Sequence, residues 1–335
     1  MMAAAQSAMA PLVLEVPVQR FLHYADAVQA MANYKVALCA NALRRRANGF
    51  TVTDQDHPEE VFCLFPSRPH RPPLTIIGGM GPLAGALAFS QACSRFQNSR
   101  AIVLYQVCSV PDRSTVILGE RNFDSPLCHE VASILADAVR LVVDFMPPAG
   151  KAVRCVIACN SAHYFWRLVA DDLRWNAARA GRISGKVSGK VPCRIEMISL
   201  VESSVSALKQ QSCKRALLLA TEGAQAGKIF SAPCRDAGIA FDELSPTMSR
   251  LLMSAIFEGL KSLDERRAVE LGNEFFETIL RSGQDDGIHY DCVLAGCTEI
   301  PPTIDLLRLR GSPAVVAFLS RLKVIDPMEE ALSHA

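Results

Sequence analysis

From residue 74 onward, short and nearly continuous apolar runs alternate with longer segments of helical periodicity. Runs such as Leu74–Gly78 and Arg215–Ala220 have the length of strands and are apolar at successive positions, so both of their faces should be buried. Strands buried on both faces are typical of parallel sheets covered by helices on each side. The alternation therefore predicts an α/β fold with parallel sheets. The predicted strands are Leu74–Gly78, Ala101–Val107, Arg154–Ala158, Ile195–Leu200, Arg215–Ala220, Asp291–Ala295 and Lys323–Ile325. The predicted helices are Ala84–Asn98, His129–Phe145, Ser161–Trp175, Glu202–Gln211, Ala224–Ala237, Thr247–Gly259 and Ser262–Arg281.

Residues 1–73 are predicted to form an N-terminal extension, helical around Phe21–Ala47. The extension ends in Pro66–Pro73, which holds four prolines in eight residues and reads as a linker. A second interruption falls at residues 177–192, where the unit Ser-Gly-Lys-Val occurs twice. We expect a flexible inserted loop there, because Gly, Ser and Lys at that density favour irregular surface structure.

The charge balance excludes two classes of partner. The 335 residues include 35 Lys and Arg against 34 Asp and Glu, so the chain lacks the basic excess typical of nucleic-acid or anionic-membrane binding. No uncharged apolar stretch is long enough for a transmembrane helix. The N-terminus has no positive charge before an apolar region, so we expect a cytoplasmic protein whose 12 cysteines are mostly reduced.

Two strand ends resemble each other in the two halves of the chain. Cys155-Val-Ile-Ala-Cys159 is similar to Cys292-Val-Leu-Ala-Gly-Cys297, and short polar residues follow each terminal cysteine. Ligands of open α/β sheets bind at the carboxyl ends of strands. Two such halves would place both thiols at the mouth of one cleft.

Opposed thiols at that position suit proton transfer at carbon. A thiolate on one face removes a proton and a thiol on the other face returns one, which inverts the centre between them. Backbone N–H groups and a helix dipole after each strand would favour the thiolate. Asn160, Ser161 and Thr298 could hold a substrate carboxylate and stabilise the charge that develops on it.

Two other patterns in the sequence resemble metal and dinucleotide sites. Cys155, Cys159 and His163 have metal-like spacing, but no fourth ligand or second cysteine pair completes a structural zinc site. The glycines from Gly79 to Gly85 do not follow the dinucleotide pattern, and Pro82 removes a backbone donor. Neither a metal nor a nicotinamide cofactor is predicted.

Five segments, taken in order, resemble motifs of the aspartate/glutamate racemase family, and the resemblance runs from Leu74 to the C-terminus. They are Ile77-Gly-Gly-Met-Gly-Pro82, Val110-Pro-Asp-Arg-Ser114, Cys159-Asn-Ser-Ala-His163, Gly296-Cys-Thr-Glu299 and Ile325-Asp-Pro327. The resemblance implies two pseudo-symmetric α/β domains facing across a cleft. The first domain would comprise residues 74–176 and 315–335, and the second residues 193–314. It also implies an enzyme without pyridoxal phosphate or metal, an acidic amino acid as substrate, and a homodimer.

By the same resemblance, Cys159 and Cys297 are the acid/base pair. Arg113 would pair with the side-chain carboxylate of the substrate, for which a guanidinium fork is well suited. Glu299 favours aspartate over glutamate, because glutamate racemases usually carry His at that position. The residues that would line the substrate site are Met80, Gly81, Asn160, Ser161 and Thr298.

The segment Thr221–Phe230 departs from the family pattern. Ala224 and Gly227 stand where hydroxyl residues are usual, Glu222 adds a carboxylate, and Lys228 is predicted to compensate as a substrate contact. Two alternatives therefore stay open. One is a racemase, isomerase or decarboxylase acting on another small carboxylate, such as a hydantoin, maleate or malonate-like compound. The other is a catalytically silent amino-acid-binding protein.

Overall fold

The computed structural model describes residues 36–38, 59–64, 66, 69–81, 84–120, 122–145, 152–183, 194–286 and 290–335. The first half contains β1 (Val36–Leu38), β2 (Glu59–Leu64), β3 (Leu74–Gly78), α1 (Ala84–Phe96), β4 (Ile102–Gln106), α2 (Arg113–Gly119), α3 (Pro126–Phe145), β5 (Ala152–Ile157), a 3-10 turn (Ser161–Phe165), α4 (Trp166–Ile183) and β6 (Arg194–Ile198). The second half contains α5 (Leu200–Gln210), β7 (Arg215–Ala220), α6 (Glu222–Ala226), α7 (Ser231–Asp236), β8 (Ala240–Asp242), α8 (Pro246–Ser254), a π-helical turn (Ala255–Leu260), α9 (Glu265–Asp286), β9 (Cys292–Gly296), α10 (Ile300–Arg310), α11 (Pro313–Leu319), β10 (Lys323–Ile325) and α12 (Pro327–His334).

The strands form two sheets, and the predicted α/β class is confirmed. The first sheet has the order β1-β2-β4-β3-β5-β6, with parallel pairing from β4 to β6. The second has the order β10-β9-β7-β8 and is parallel throughout. The central strands β3 and β9 are buried at every position, as expected for strands covered on both faces.

The N-terminal extension contributes strands where a helix was predicted. Val36–Leu38 lies inside the predicted helical stretch but pairs with β2, and β2 pairs antiparallel with β4. That part of the helix prediction is wrong; the other residues of the stretch lie outside the described ranges. The physical reason is edge pairing: β2 covers the open edge of β4, and Val36–Leu38 in turn satisfies unpaired backbone groups of β2.

Two strands belong to sheets other than those predicted. Arg194–Ile198, assigned to the second domain, pairs with β5 of the first sheet, and Lys323–Ile325, assigned to the first domain, pairs with β9 of the second. The predicted domain boundaries are wrong at these strands, because a short apolar run does not specify its neighbour. The predicted loop at 177–192 is wrong up to residue 183, where α4 ends; the Ser-Gly-Lys-Val repeat lies outside the described residues.

One apolar cluster crosses from the first sheet to the second. It includes Ile77 and Ile157 of the first sheet together with Leu218 and Leu294 of the second. The halves therefore pack through side chains close to the strand ends that carry the predicted site. Within the described part of the chain, no helix combines the length and apolarity needed to cross a membrane.

Candidate active site

The carboxyl ends of β3, β5 and β9 open into one cleft between the two sheets. Its empty volume is about 450 Å³, counting the part open to solvent. The cleft brings together these predicted residues: Met80, Gly81, Arg113, Cys159, Asn160, Ser161, Cys297, Thr298 and Glu299. The structure adds Asp112, Thr221, Phe257 and Lys261 to the lining.

Cys159 is held at the end of β5 by a buried histidine. The main-chain N–H of Leu200 donates to Nε2 of His163 at 3.1 Å, so the ring proton lies on Nδ1. Nδ1 then donates to the carbonyl of Cys159 at 3.0 Å, and the ring stacks on Trp166 with centroids 4.9 Å apart. Burial lowers the pKa of His163 to about 4. His163 is thus a neutral group that positions the Cys159 turn.

Both ring nitrogens of His163 are occupied, which leaves neither for a metal. In the ranges that the structure covers, no cluster of His, Cys, Asp and Glu has the arrangement of a metal site. The metal-like spacing around Cys159 has another explanation, since His163 serves the turn that presents the thiol.

Lowering the pH from 6.5 to 4 should destabilise the protein through His163. In this window the unfolded state binds a proton on His163 that the folded state does not, so the free energy of unfolding should fall by up to about 3 kcal/mol. Urea unfolding between pH 4 and 7.5 measures this slope. His163→Gln should flatten it, whereas His129→Gln, at an exposed position of α3, should not. If the free energy of unfolding falls equally with pH in wild type and in His163→Gln, His163 is not the group whose protonation destabilises the protein.

Cys297 follows β9 and bonds directly to a carboxylate. Its Sγ donates to Oε2 of Glu299 at 3.0 Å, and Oγ1 of Thr298 donates to the same oxygen at 2.9 Å. Burial, reinforced by the charge of Glu299, raises the pKa of Cys297 well above the ordinary thiol value. The lowering of the pKa expected from the helix dipole is therefore outweighed at Cys297 by burial and by the carboxylate.

Glu299 reaches across the cleft from the second half to the first. It is only 3% exposed, and its Oε1 lies 4.0 Å from Nζ of Lys261. A Cβ at Gly81 would lie 3.0 Å from that oxygen. Gly81 therefore leaves the space that the Glu299 carboxylate occupies.

The lysine of the cleft is Lys261 and not the predicted Lys228. Lys228 is exposed in the turn between α6 and α7, outside the cleft lining. Lys261 directly follows the π-helical turn, and its Nζ lies 4.1 Å from the ring centroid of Phe257. The sequence does not predict Lys261 as a cleft residue, because helical periodicity does not reveal a π-helical turn. Such turns often occur at functional sites.

Arg113 begins α2 and is held by main-chain carbonyls. Its Nη2 donates to the carbonyl of Met80, and Nη1 donates to that of Pro111 at 3.1 Å. Its Nε is buried and has no hydrogen-bond partner among the described residues. The guanidinium therefore enters the cleft lining with a donor still unused.

The side-chain amide of Asn160 lies in the cleft without hydrogen-bond partners among the described residues. It is 3% exposed, yet neither its amide oxygen nor its amide nitrogen has a partner within the described ranges. Buried amides are nearly always bonded, so an unbonded one on a cleft wall indicates a place for polar groups of a ligand. Its neighbour Ser161 is bonded to Thr221 of the second half, with the two hydroxyl oxygens 3.2 Å apart.

The segment that departs from the family pattern packs tightly against the first half. A Cβ at Gly223 would lie 2.6 Å from Cα of Ser114, and one at Gly227 would lie 2.8 Å from the ring of Tyr164. Ala224 is fully buried. The small residues here let α6 approach the first half closely.

The fold agrees with two solved structures, although no family model matches the chain. Picrophilus torridus aspartate racemase is 20% identical, and the match covers 79% of this chain and 92% of that one with a TM-score of 0.52. The chain has the aspartate racemase fold. An aspartate racemase homologue from Pyrococcus horikoshii is 16% identical over 79% of this chain and 97% of its own, also with a TM-score of 0.52.

Proposed function

We propose that this chain is a cofactor-independent racemase of an acidic amino acid, with aspartate preferred to glutamate. The observation that carries the proposal is the pair of thiols, one after β5 and one after β9, on the walls of one cleft. The fold shared with aspartate racemases supports the same reading. Two further expectations stay predictions: a cytoplasmic location, which rests on composition, and a homodimer, which rests on the family resemblance.

Cys297 begins as the acid in one direction of the proposed reaction. Its thiol is bonded to Glu299, so the proton to be delivered is already in place. Cys159 as thiolate then takes the α-proton from one face of the substrate, and Cys297 gives its proton to the other face. The α-carbon is inverted, Cys159 ends as a thiol and Cys297 as a thiolate. The reverse reaction runs with the two roles exchanged.

The substrate's α-carboxylate would be bound by Asn160 and Thr298. Both lie beside a thiol, and the amide of Asn160 has its donors free. Loss of the α-proton moves negative charge onto the carboxylate, so donors that are already positioned stabilise this state more than the bound substrate. Asn160 is therefore proposed to serve both binding and proton removal.

The side-chain carboxylate would lie between Arg113 and Lys261. These two cations line the cleft from opposite halves, and Arg113 retains an unused donor. Lys261 already faces Glu299, so a second carboxylate on the substrate would bind chiefly through the unused donor of Arg113 and share Lys261 with Glu299. The position of Lys261 supports acidic selectivity even though Lys228 lies elsewhere.

The test is exchange of the α-hydrogen in deuterated water without added cofactor. L- and D-aspartate are incubated with the full chain, and L- and D-glutamate in parallel, while deuterium incorporation and inversion are followed together. We expect both for aspartate and slower turnover for glutamate. Absence of exchange with all four acids would contradict the proposal and favour another carboxylate or a binding role.

Replacing Lys261 by methionine should lower kcat/KM for aspartate by about 10- to 100-fold, since a charge-assisted contact to the substrate is lost. Lys228→Met is the matched control, because it removes an exposed lysine outside the cleft and should leave kcat/KM unchanged. Steady-state kinetics with both enantiomers measure the two variants. A larger loss of kcat/KM in Lys228→Met than in Lys261→Met would instead assign the substrate contact to Lys228.

A further inference from the structure

Arg100 carries a charge that the described chain leaves uncompensated. Its side chain is 1% exposed, and the guanidinium carbon lies 4.3 Å from the ring centroid of Phe96 at the end of α1. Neither Nε nor Nη1 of Arg100 has a hydrogen-bond partner among the described residues. No carboxylate of the described residues forms an ion pair with Arg100. A buried cation without a partner is strongly unfavourable, so this position calls for an anion.

Backbone hydrogen bonds bring two more arginines to the same edge of the first sheet. The N–H of Arg71 donates to the carbonyl of Ser99, next to Arg100, at 2.9 Å. The N–H of Arg154 donates to the carbonyl of Pro73 at 2.9 Å, beside the start of β3. Arg71, Arg100 and Arg154 thus gather at the amino ends of β3, β4 and β5, away from the cleft at the carboxyl ends.

The electrostatics of this edge are dominated by the three cations. Burial, together with the charges of Arg154 and Arg71, lowers the pKa of Arg100 to about 10, which still leaves it positive at neutral pH. Arg154 has one acidic partner, Glu196, at 3.4 Å, and also donates to the carbonyl of His334 at 3.0 Å. One carboxylate does not balance three guanidinium groups.

We propose that the edge defined by Arg71, Arg100 and Arg154 is a binding site for a phosphate-class oxyanion. Guanidinium N–H groups are strong donors to phosphate oxygens, and both Nε and Nη1 of Arg100 are donors left unused among the described residues. The anion approaches past Arg71, which is exposed, and past the half-buried Arg154. The site is separate from the cleft and independent of the proposed racemase activity.

The experiment is thermal unfolding of the full chain with inorganic phosphate titrated at constant ionic strength against chloride. At a phosphate concentration ten times Kd we expect Tm to rise by about 2 °C. Sulfate should act similarly and acetate weakly. An equal response to glycerol phosphate would identify a phosphate ester as an accepted ligand, whereas a response to inorganic phosphate alone would identify the free ion.

Variants locate the anion. Arg71→Gln should weaken phosphate binding about tenfold, while Arg266→Gln, at an exposed position on α9, should leave it unchanged. Arg100→Met should abolish the response and fold at least as well without phosphate, because it removes the uncompensated charge. If Arg100→Met does not fold, Arg154→Gln serves in its place.

The cleft also contains cations, so Lys261→Met must keep the full phosphate response. Loss of the response in Lys261→Met would place the anion in the cleft and overturn the proposal. So would the absence of a Tm rise in wild type, or an equal rise in wild type and Arg71→Gln.

Discussion

Replacing either cleft cysteine by alanine should reduce racemisation of aspartate by roughly 10²–10⁴-fold, the range that general acid–base groups contribute. Each thiol is proposed to serve one face of the substrate, so inversion needs both. The chain offers a matched control in Cys234, which is buried in α7 outside the cleft. Cys234→Ala should keep full activity.

The measurement is inversion of each enantiomer, followed by circular dichroism or chiral chromatography. Thermal unfolding of the same samples confirms that the variants are folded. Equal activity of Cys159→Ala and wild type would remove Cys159 from the mechanism, and the same holds for Cys297. Loss of inversion in only one of the two variants would point to a one-thiol reaction and contradict the two-thiol proposal.

Replacing Glu299 by glutamine should change both the titration of Cys297 and the rate. The negative charge of Glu299 helps to raise the pKa of the thiol, so its removal should shift the pH midpoint of thiolate formation downward. Glutamine also accepts a weaker hydrogen bond from the Cys297 thiol than a carboxylate does, so the thiol is held less firmly and we expect kcat to fall by about 10- to 100-fold.

Alkylation by iodoacetamide as a function of pH, in a Cys159→Ala background, follows the Cys297 thiolate directly. Thr298→Ser keeps the hydroxyl that donates to Glu299 and is the control, with the midpoint expected unchanged. An unchanged midpoint in Glu299→Gln would show that burial alone sets the reactivity of Cys297. A merely structural role of Glu299 would lower stability without moving the midpoint.

The local part of the structure follows closely from the sequence. Leu74–Gly78, Arg215–Ala220 and Lys323–Ile325 are strands with the predicted bounds, and both cysteines lie just beyond strand ends, as the repeated apolar-Cys pattern requires. Nine of the ten predicted site residues line one cleft. These strand ends can be predicted because the apolar pattern of a strand and the polar residues that follow it lie within a few positions of each other in the sequence.

Short helices were harder to predict. The predicted helix Ala224–Ala237 is interrupted, with α6 ending at Ala226 and α7 beginning at Ser231. In the turn between them Lys228 adopts a φ of 52°, which no helix accommodates. The helices α10, α11 and α12 were missed although each has a proline in its first turn, a position that proline favours.

By itself the sequence determined the α/β class, the placement of Cys159 and Cys297 at strand ends, and the approximate neutrality of the chain. The tertiary structure alone decided the sheet partners of β2, β6 and β10, the choice of Lys261 over Lys228, and the protonated state of Cys297. Strand pairing and charge interactions depend on groups that are distant in the chain. Lys261 and Glu299 are 38 residues apart, yet their charged atoms lie 4.0 Å from each other. No local pattern carries that information, because the contact forms only when β9 and the π-helical turn pack together within the second half.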